Sequence, residues 1–330
     1  MKIATFQVKT PVGPLTRVGA VEDEGLIDLN AACAARLEAD GRTGRPSEIA
    51  DAIVPSSIIP FLTGGKLTRE KADASLAFTK ECMPEIGPRG EQILYRKADV
   101  KLLAPVPEPN SIRDTLSFEG HMKNFERRTG KPTPPRWYEV PIYYKGNRRS
   151  VTGPDETIEW PSYTEKLDYE LEFGVVIGQQ GRDIPVNKAG SYIAGYTIFN
   201  DISARDVIPE EVSTNLGPAK AKDMETGNVI GPWLVTADSL DASSLDMEAR
   251  INGEVWSSGN SSDMYHSFPE IISYISQSET LYPGDFIGSG TVANGCGDEL
   301  DRWIQPGDTV ELEVEGIGVL KNVIGPRQSA

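Results

Sequence analysis

Cysteine and histidine are scarce in this chain, and their scarcity narrows its chemistry. Cys33, Cys82 and Cys296 lie scattered among 330 residues. Odd in number and without Cys-x-x-Cys spacing, they argue against a disulfide framework or a zinc knuckle. His121 and His266 are the two histidines, too few for a histidine-rich metal centre. No apolar run approaches the roughly 20 residues that span a bilayer. Met1 to Phe6 opens without the apolar stretch of a secretory signal, so a cytoplasmic location is expected. Positive charge is also in deficit: 33 Lys and Arg face 49 Asp and Glu, a net charge of −16. Such a surface repels phosphate backbones and anionic lipid, so neither nucleic acid nor membrane is an expected partner. Walker, Gly-x-Gly-x-x-Gly and His-Glu-x-x-His motifs are missing. Gly288-Ser289-Gly290 lacks the earlier glycine of a Gly-x-Ser-x-Gly elbow.

What is present suffices for a sizeable core, with 38% hydrophobic and 25% charged residues. At about 150 residues per domain, the length suggests two domains. Alternation near the start predicts strands over 2–8, 15–21 and 26–29, with a turn at 22–25. Asn30 is a candidate cap for a helix through 31–37, and further helices are expected near 49–54 and 67–81. Pro105, Pro107 and Pro109 stiffen a connector, which places a boundary between a small N-terminal α/β domain, 1–105, and a larger domain, 106–330. Beyond residue 140 the pattern is mainly β. Strands are expected over 171–177, 192–202, 231–237, 247–251, 286–289 and 309–314, with one good helix at 269–277.

The chemistry concentrates in Asp168-Tyr169-Glu170-Leu171-Glu172-Phe173. Alternation along a strand turns Glu170 and Glu172 to one face. Two like charges there repel, and inside an apolar strand they need a cation between them. The alternative is the solvent-facing side of an amphipathic strand. Asp201 ends another apolar run and adds a third carboxylate. An all-oxygen set suits a hard divalent cation, with Mg2+ first and Mn2+ or Ca2+ also fitting, better than zinc. His121 is a candidate general base. Glu119, Glu126 and Glu299 are the carboxylates open to it, and Glu119 joins the candidate catalytic set.

Together these blocks resemble the fumarylacetoacetate hydrolase family over roughly 105–325. The resemblance rests on Glu170 and Glu172, on 200–206 (NDISARD), on 221–226 (AKDMET) with 230–233 (IGPW), on 282–285 (YPGD) with 288–291 (GSGT), and on 316–322 (GIGVLKN). It implies metal ligands at Glu170, Glu172 and Asp201, Lys222 beside metal and substrate, and Arg205 and Thr291 at the substrate. The spacing from Asp114 to His121 resembles the eukaryotic-type enzymes, which adds Asp114 as a ligand and His121 as the group that activates water. The segment 143–146 (YYKG) points to Tyr144 as a substrate contact. Three positions depart from the pattern. Leu116 stands for a second substrate tyrosine, Ile208 for a substrate-facing glutamine, and Asn124 for a glutamate that the short acylpyruvate hydrolases place three residues after their histidine. The implied fold is α+β, mainly β: a mixed β-roll or sandwich with a small N-terminal domain, assembled as a homodimer. The implied activity is metal-dependent hydrolysis of a C–C bond in a β-diketone or acylpyruvate-type 2-oxo acid. A lyase or isomerase on the same site is the alternative. A charged segment, 117–136, is expected to act as a lid over this small-molecule site.

Overall fold

The computed structural model describes residues 1–23 and 25–329. Glu24, inside the expected turn, lies outside the described residues. Strand alternation at the start yields an antiparallel meander, Lys2–Thr10, Gly13–Glu22 and Gly25–Asp28. A helix, Leu29–Ala39, follows directly, and Asp28 caps it by accepting from the Ala31 amide. Asn30 is therefore not the cap. It is buried one step inside the helix, where its amide donates to the Val54 carbonyl at 2.9 Å. Helices Pro46–Ile53 and Gly65–Cys82 complete this unit, close to the expected spans.

The sheet does not stop at the proline-rich connector. Lys2 and Ile3 pair with Val235 and Leu234, so the N-terminal meander continues into the strands of the larger unit. Beyond Asn228–Thr236 the order runs through Ile193–Asp201, Glu172–Ile177, Phe286–Gly288, Ile112–Thr115 and Tyr143–Gly146. Neighbours are antiparallel, except that Phe286–Gly288 runs parallel to Ile112–Thr115. A second sheet of five strands carries Asp246–Ile251, Thr309–Val314 and Gly318–Arg327. One apolar cluster fills the space between the sheets, with Phe173, Val175, Ile198, Leu312 and Ile324 in it. The other packs Val18, Leu29 and Phe61 of the N-terminal unit against Val176, Phe199 and Leu234. The chain is thus mixed α+β and rich in strand, as the sequence implies.

The segment 117–136 folds more regularly than its polar composition suggests. It forms a helix, Glu119–Thr129, then a short connection and a second turn of helix at Pro135–Glu139. Only Asn124 is buried along the longer helix, so apolar periodicity gave no warning of it. Polar contacts hold it instead. The Asn124 amide donates to Glu299 at 2.5 Å, and Arg128 pairs with Asp298 at 2.5 Å. Gly120 allows close approach, since a β-carbon there would lie 2.6 Å from that of Ala293.

Candidate active site

Three strands of one sheet deliver the carboxylates, two of them neighbours and the third one strand further on, beyond Phe286–Gly288. Asp114 lies near the end of Ile112–Thr115, Glu172 opens Glu172–Ile177, and Asp201 closes Ile193–Asp201. Each contributes an oxygen to a group whose members all lie within 4.8 Å of one another. All three are buried. Gly290 completes the floor: its amide donates to Glu172 at 3.0 Å and to Asp114 at 3.2 Å. It does so from a left-handed conformation, φ +77°, that favours glycine. Thr291 donates to the other Glu172 oxygen at 3.1 Å, and Tyr144 to Asp201 at 2.7 Å.

Glu170 belongs to this site but not to the tight group. The strand begins only at Glu172; Glu170 forms an isolated bridge to Cys296, and its amide donates to Asn200. Its carboxylate is shared between Lys222 and Arg205, each at 2.6 Å. Lys222 reaches on to Asp201 at 2.6 Å, and Arg205 to Asp168 at 2.8 Å. Both faces of this stretch are buried, Tyr169 and Leu171 as fully as Glu172, which disposes of the solvent-facing alternative.

Charge separates the acids. Burial opposes ionisation of Glu170, but Lys222 and Arg205 outweigh it and bring the carboxyl down to about 2. Burial and the neighbouring Asp201 push Asp114 up to about 8. Burial, Asp114 and Glu170 raise Glu172 well above the carboxylate range. Asp201 is raised by burial as well, although Lys222 pulls it the other way. Five buried carboxylates, Asp168 included, meet two cations here, so all five can ionise together only if further positive charge joins them. One Asp201 oxygen, Oδ1, is buried without any hydrogen-bond partner. Such an orphan acceptor is costly unless a further positive group faces it. The donor set fits a hard divalent cation held by Asp114, Glu172 and Asp201, with Glu170 alongside.

His121 stands on the first turn of the helix Glu119–Thr129, across the site. Its partner is Glu299, at 3.1 Å from Nδ1, and not Glu119. The contact is short but not well directed, since Nδ1 lacks an aligned acceptor. Glu119 instead accepts from the Tyr138 hydroxyl at 2.8 Å and does not line the cavity that His121 faces. Asn124 stands where a glutamate was missing from the pattern, and it donates to Glu299 at 2.5 Å. The carboxylate absent three residues after the histidine thus arrives from 178 positions downstream of it, steadied by the residue that replaced it. Burial opposes ionisation of Glu299, yet His121 and Asn124 hold its carboxyl below the usual range.

A cavity of about 340 Å³ joins these groups; Asp114, His121, Tyr144, Glu170, Lys222 and Thr291 all line it. A larger groove, about 620 Å³, lies near Ile59, Lys66 and Gln179 and carries none of these carboxylates. Chemistry, not size, picks out the site. Arg205 also lines the cavity, but its Nε and Nη2 are already bound to Asp168 and Glu170. It positions Glu170 more than it offers a free clamp. His266 is buried and bonded to the Trp137 carbonyl at 2.8 Å, a structural role. Asp168 opens the acidic motif without an assigned role in the sequence; in the structure it accepts from Arg205 Nε at 2.8 Å.

Comparison with known proteins agrees with the geometry. The family model described as fumarylacetoacetate (FAA) hydrolase C-terminal matches residues 110–325. Oxaloacetate tautomerase YisK of Bacillus subtilis is 31% identical over 310 residues, 92% of this chain and 94% of that protein. Human mitochondrial oxaloacetate tautomerase FAHD2A is 29% identical over 98% of this chain and 91% of its own length. Among solved structures, maleylpyruvate hydrolase from Sphingobium sp. SYK-6, in complex with manganese(II) and pyruvate, shares the fold, with a TM-score of 0.68 at 21% identity, covering 99% of this chain and all of that one. Among the described residues, no helix is long and apolar enough to cross a membrane. A full-length relative above 30% identity, a family match over most of the chain and a buried carboxylate centre lead to one conclusion: this protein is an enzyme of the fumarylacetoacetate hydrolase family.

Proposed function

We propose that the protein moves a proton at the carbon between two carbonyl groups of a 2-oxo acid, interconverting keto and enol forms through an enolate. The observation that carries this reading is the placement of the His121–Glu299 pair and the Lys222-centred carboxylates around one cavity. A divalent cation at Asp114, Glu172, Asp201 and Glu170 would supply Lewis-acid polarisation of substrate oxygens. Lys222 adds a fixed positive charge where oxyanion charge develops. His121, steadied by Glu299, takes the proton from carbon, and the enolate oxygen receives one in return. Glu170, held ionised by Lys222 and Arg205, fixes both of those side chains at the edge of the site. The names of the relatives that match over most of the chain support tautomerase chemistry.

Hydrolytic cleavage of a C–C bond in an acylpyruvate, the activity the sequence implies, is the second reading. It is favoured by Glu299, since a histidine backed by a buried carboxylate is equipped to take a proton from water. One experiment separates them: 2-oxo acids incubated with the protein and Mg2+ or Mn2+, followed by tautomer relaxation and product mass. Accelerated relaxation with an intact substrate supports the first reading, and two fragments support the second. Neither outcome above the rate of buffer with metal would overturn both. The homodimer is proposed on the family resemblance, and sedimentation equilibrium at twice the chain mass is the result expected.

A further inference from the structure

The cavity that holds the reacting groups has two chemically distinct halves. Its floor is ionic and buried. Its mouth is built from Leu116, Phe125, Ile142, Ile208 and Val212, which come from four separate stretches of chain. Four of them are unusually open for large hydrophobics: Leu116 is 37% exposed, Ile142 39%, and Phe125 and Val212 each 49%. Scattered singly, such residues would need no explanation. Converging on one cavity beside His121, they form a contiguous apolar collar.

The collar has no free positive charge. Besides His121, the cationic side chains lining the cavity are Lys222 and Arg205, and each already faces two carboxylates. A second substrate carboxylate entering the mouth would lose water among mainly apolar walls, with the nearby His121 already facing Glu299. At about 340 Å³ the cavity also lies in the range of sites that enclose ligands well beyond a four-carbon acid.

We infer that the substrate carries an apolar substituent beyond its 2-oxo acid head, and that Phe125, Leu116, Ile142, Ile208 and Val212 select it. The natural class is a 2,4-dioxo acid with an alkyl or aryl group on the distal carbonyl, not a dicarboxylate. This inference rests on the proposed reading for the head group and adds the identity of the tail. It also separates this chain from relatives named for oxaloacetate, whose far end is charged.

The test uses inert analogues, N-alkyl oxamates from methyl to hexyl, titrated calorimetrically into the full chain with Mg2+. Affinity is expected to rise about fourfold per methylene that enters the collar. An N-carboxyalkyl oxamate of matching length should bind no tighter than the methyl compound. Phe125→Ala should flatten the dependence on chain length, and Leu116→Ser carries the same test if Phe125→Ala fails to fold. Affinity independent of chain length, or tighter binding of the carboxyalkyl compound, overturns the apolar tail while leaving the head-group reading standing. Failure of every oxamate to bind overturns the head-group reading and the tail with it.

Discussion

At the scale of single residues, Glu172 and Asp201 mark the tension on which the site is built. Each is buried at a point where like charges converge, and each is raised for that reason. Removing one of these charges should therefore cost the cation-free protein little. Glu172→Gln is expected to unfold at or above the wild-type temperature without divalent metal, and to lose the response to Mg2+. For wild type, Mg2+ at a hundred times its Kd should add about 2.7 kcal/mol of stability. Thermal scans with and without Mg2+ read both effects. A variant that still gains stability from Mg2+ would remove Glu172 from the ligand set.

His121 and Glu299 make a second residue-scale pair, and they should fail differently. His121→Ala deletes the proton-transfer group, for which a loss in kcat of about 10²–10⁴ is expected. Its Mg2+ response in thermal scans should persist, because the carboxylates are untouched. Glu299→Gln keeps the shape but loosens the imidazole's orientation, for which a loss of up to about 10² is expected, mostly in kcat and little in KM. Equal kinetics for Glu299→Gln and wild type would show that the 3.1 Å contact does not position the base.

Among elements, the helix Glu119–Thr129 is where sequence and structure part company. The strands were legible because their apolar residues alternate or run together: Ile193–Asp201 and Thr309–Val314 stand where period and branching place them. Asp201 was legible for the same reason, as the charge that ends an apolar run. The helix over the site buries a single side chain, so its order comes from side-chain bonds to distant segments that no local window contains. Glu299 is one of three carboxylates the sequence offers His121, and nothing near it singles it out, since the histidine lies 178 positions upstream. The Arg128–Asp298 pair is one such distant bond, and it has a pH signature. Burial opposes ionisation of Asp298, but Arg128 and Arg205 hold its carboxyl below the ordinary value. Its folded pKa thus lies below the unfolded one near 3.9. The tether is fully present above that value and is lost as pH falls through the lowered one. Arg128 is 42% exposed, so the contribution is small and salt-sensitive. Hydrogen exchange, corrected for intrinsic rates, should show the amides of this helix less protected at pH 3 than at pH 7. In Arg128→Ala that difference should shrink. Protection that responds identically in both proteins would leave the helix held by its other contacts alone.

For the whole molecule, the question is whether residues 1–105 form an appendage or part of the catalytic body. Composition places a boundary at the proline-rich connector, and the family match begins just past it, at residue 110. Packing points the other way. Ile3 pairs with Leu234, the strand Asn228–Thr236 pairs with Ile193–Asp201, and that strand ends in a carboxylate of the site. Val18, Leu29 and Phe61 share one core with Val176, Phe199 and Leu234. Separating the two units would expose that core and leave the Asn228–Thr236 strand without its N-terminal neighbour. A single cooperative calorimetric transition is therefore expected for the full chain, with calorimetric and van't Hoff enthalpies in agreement. Leu234→Ala, at a fully buried position between the units, should destabilise that one transition by about 2–5 kcal/mol. If two transitions appear and Leu234→Ala shifts only one of them, the units fold independently. The catalytic strand would then stand without the meander beside it, and the connector would be a true domain boundary.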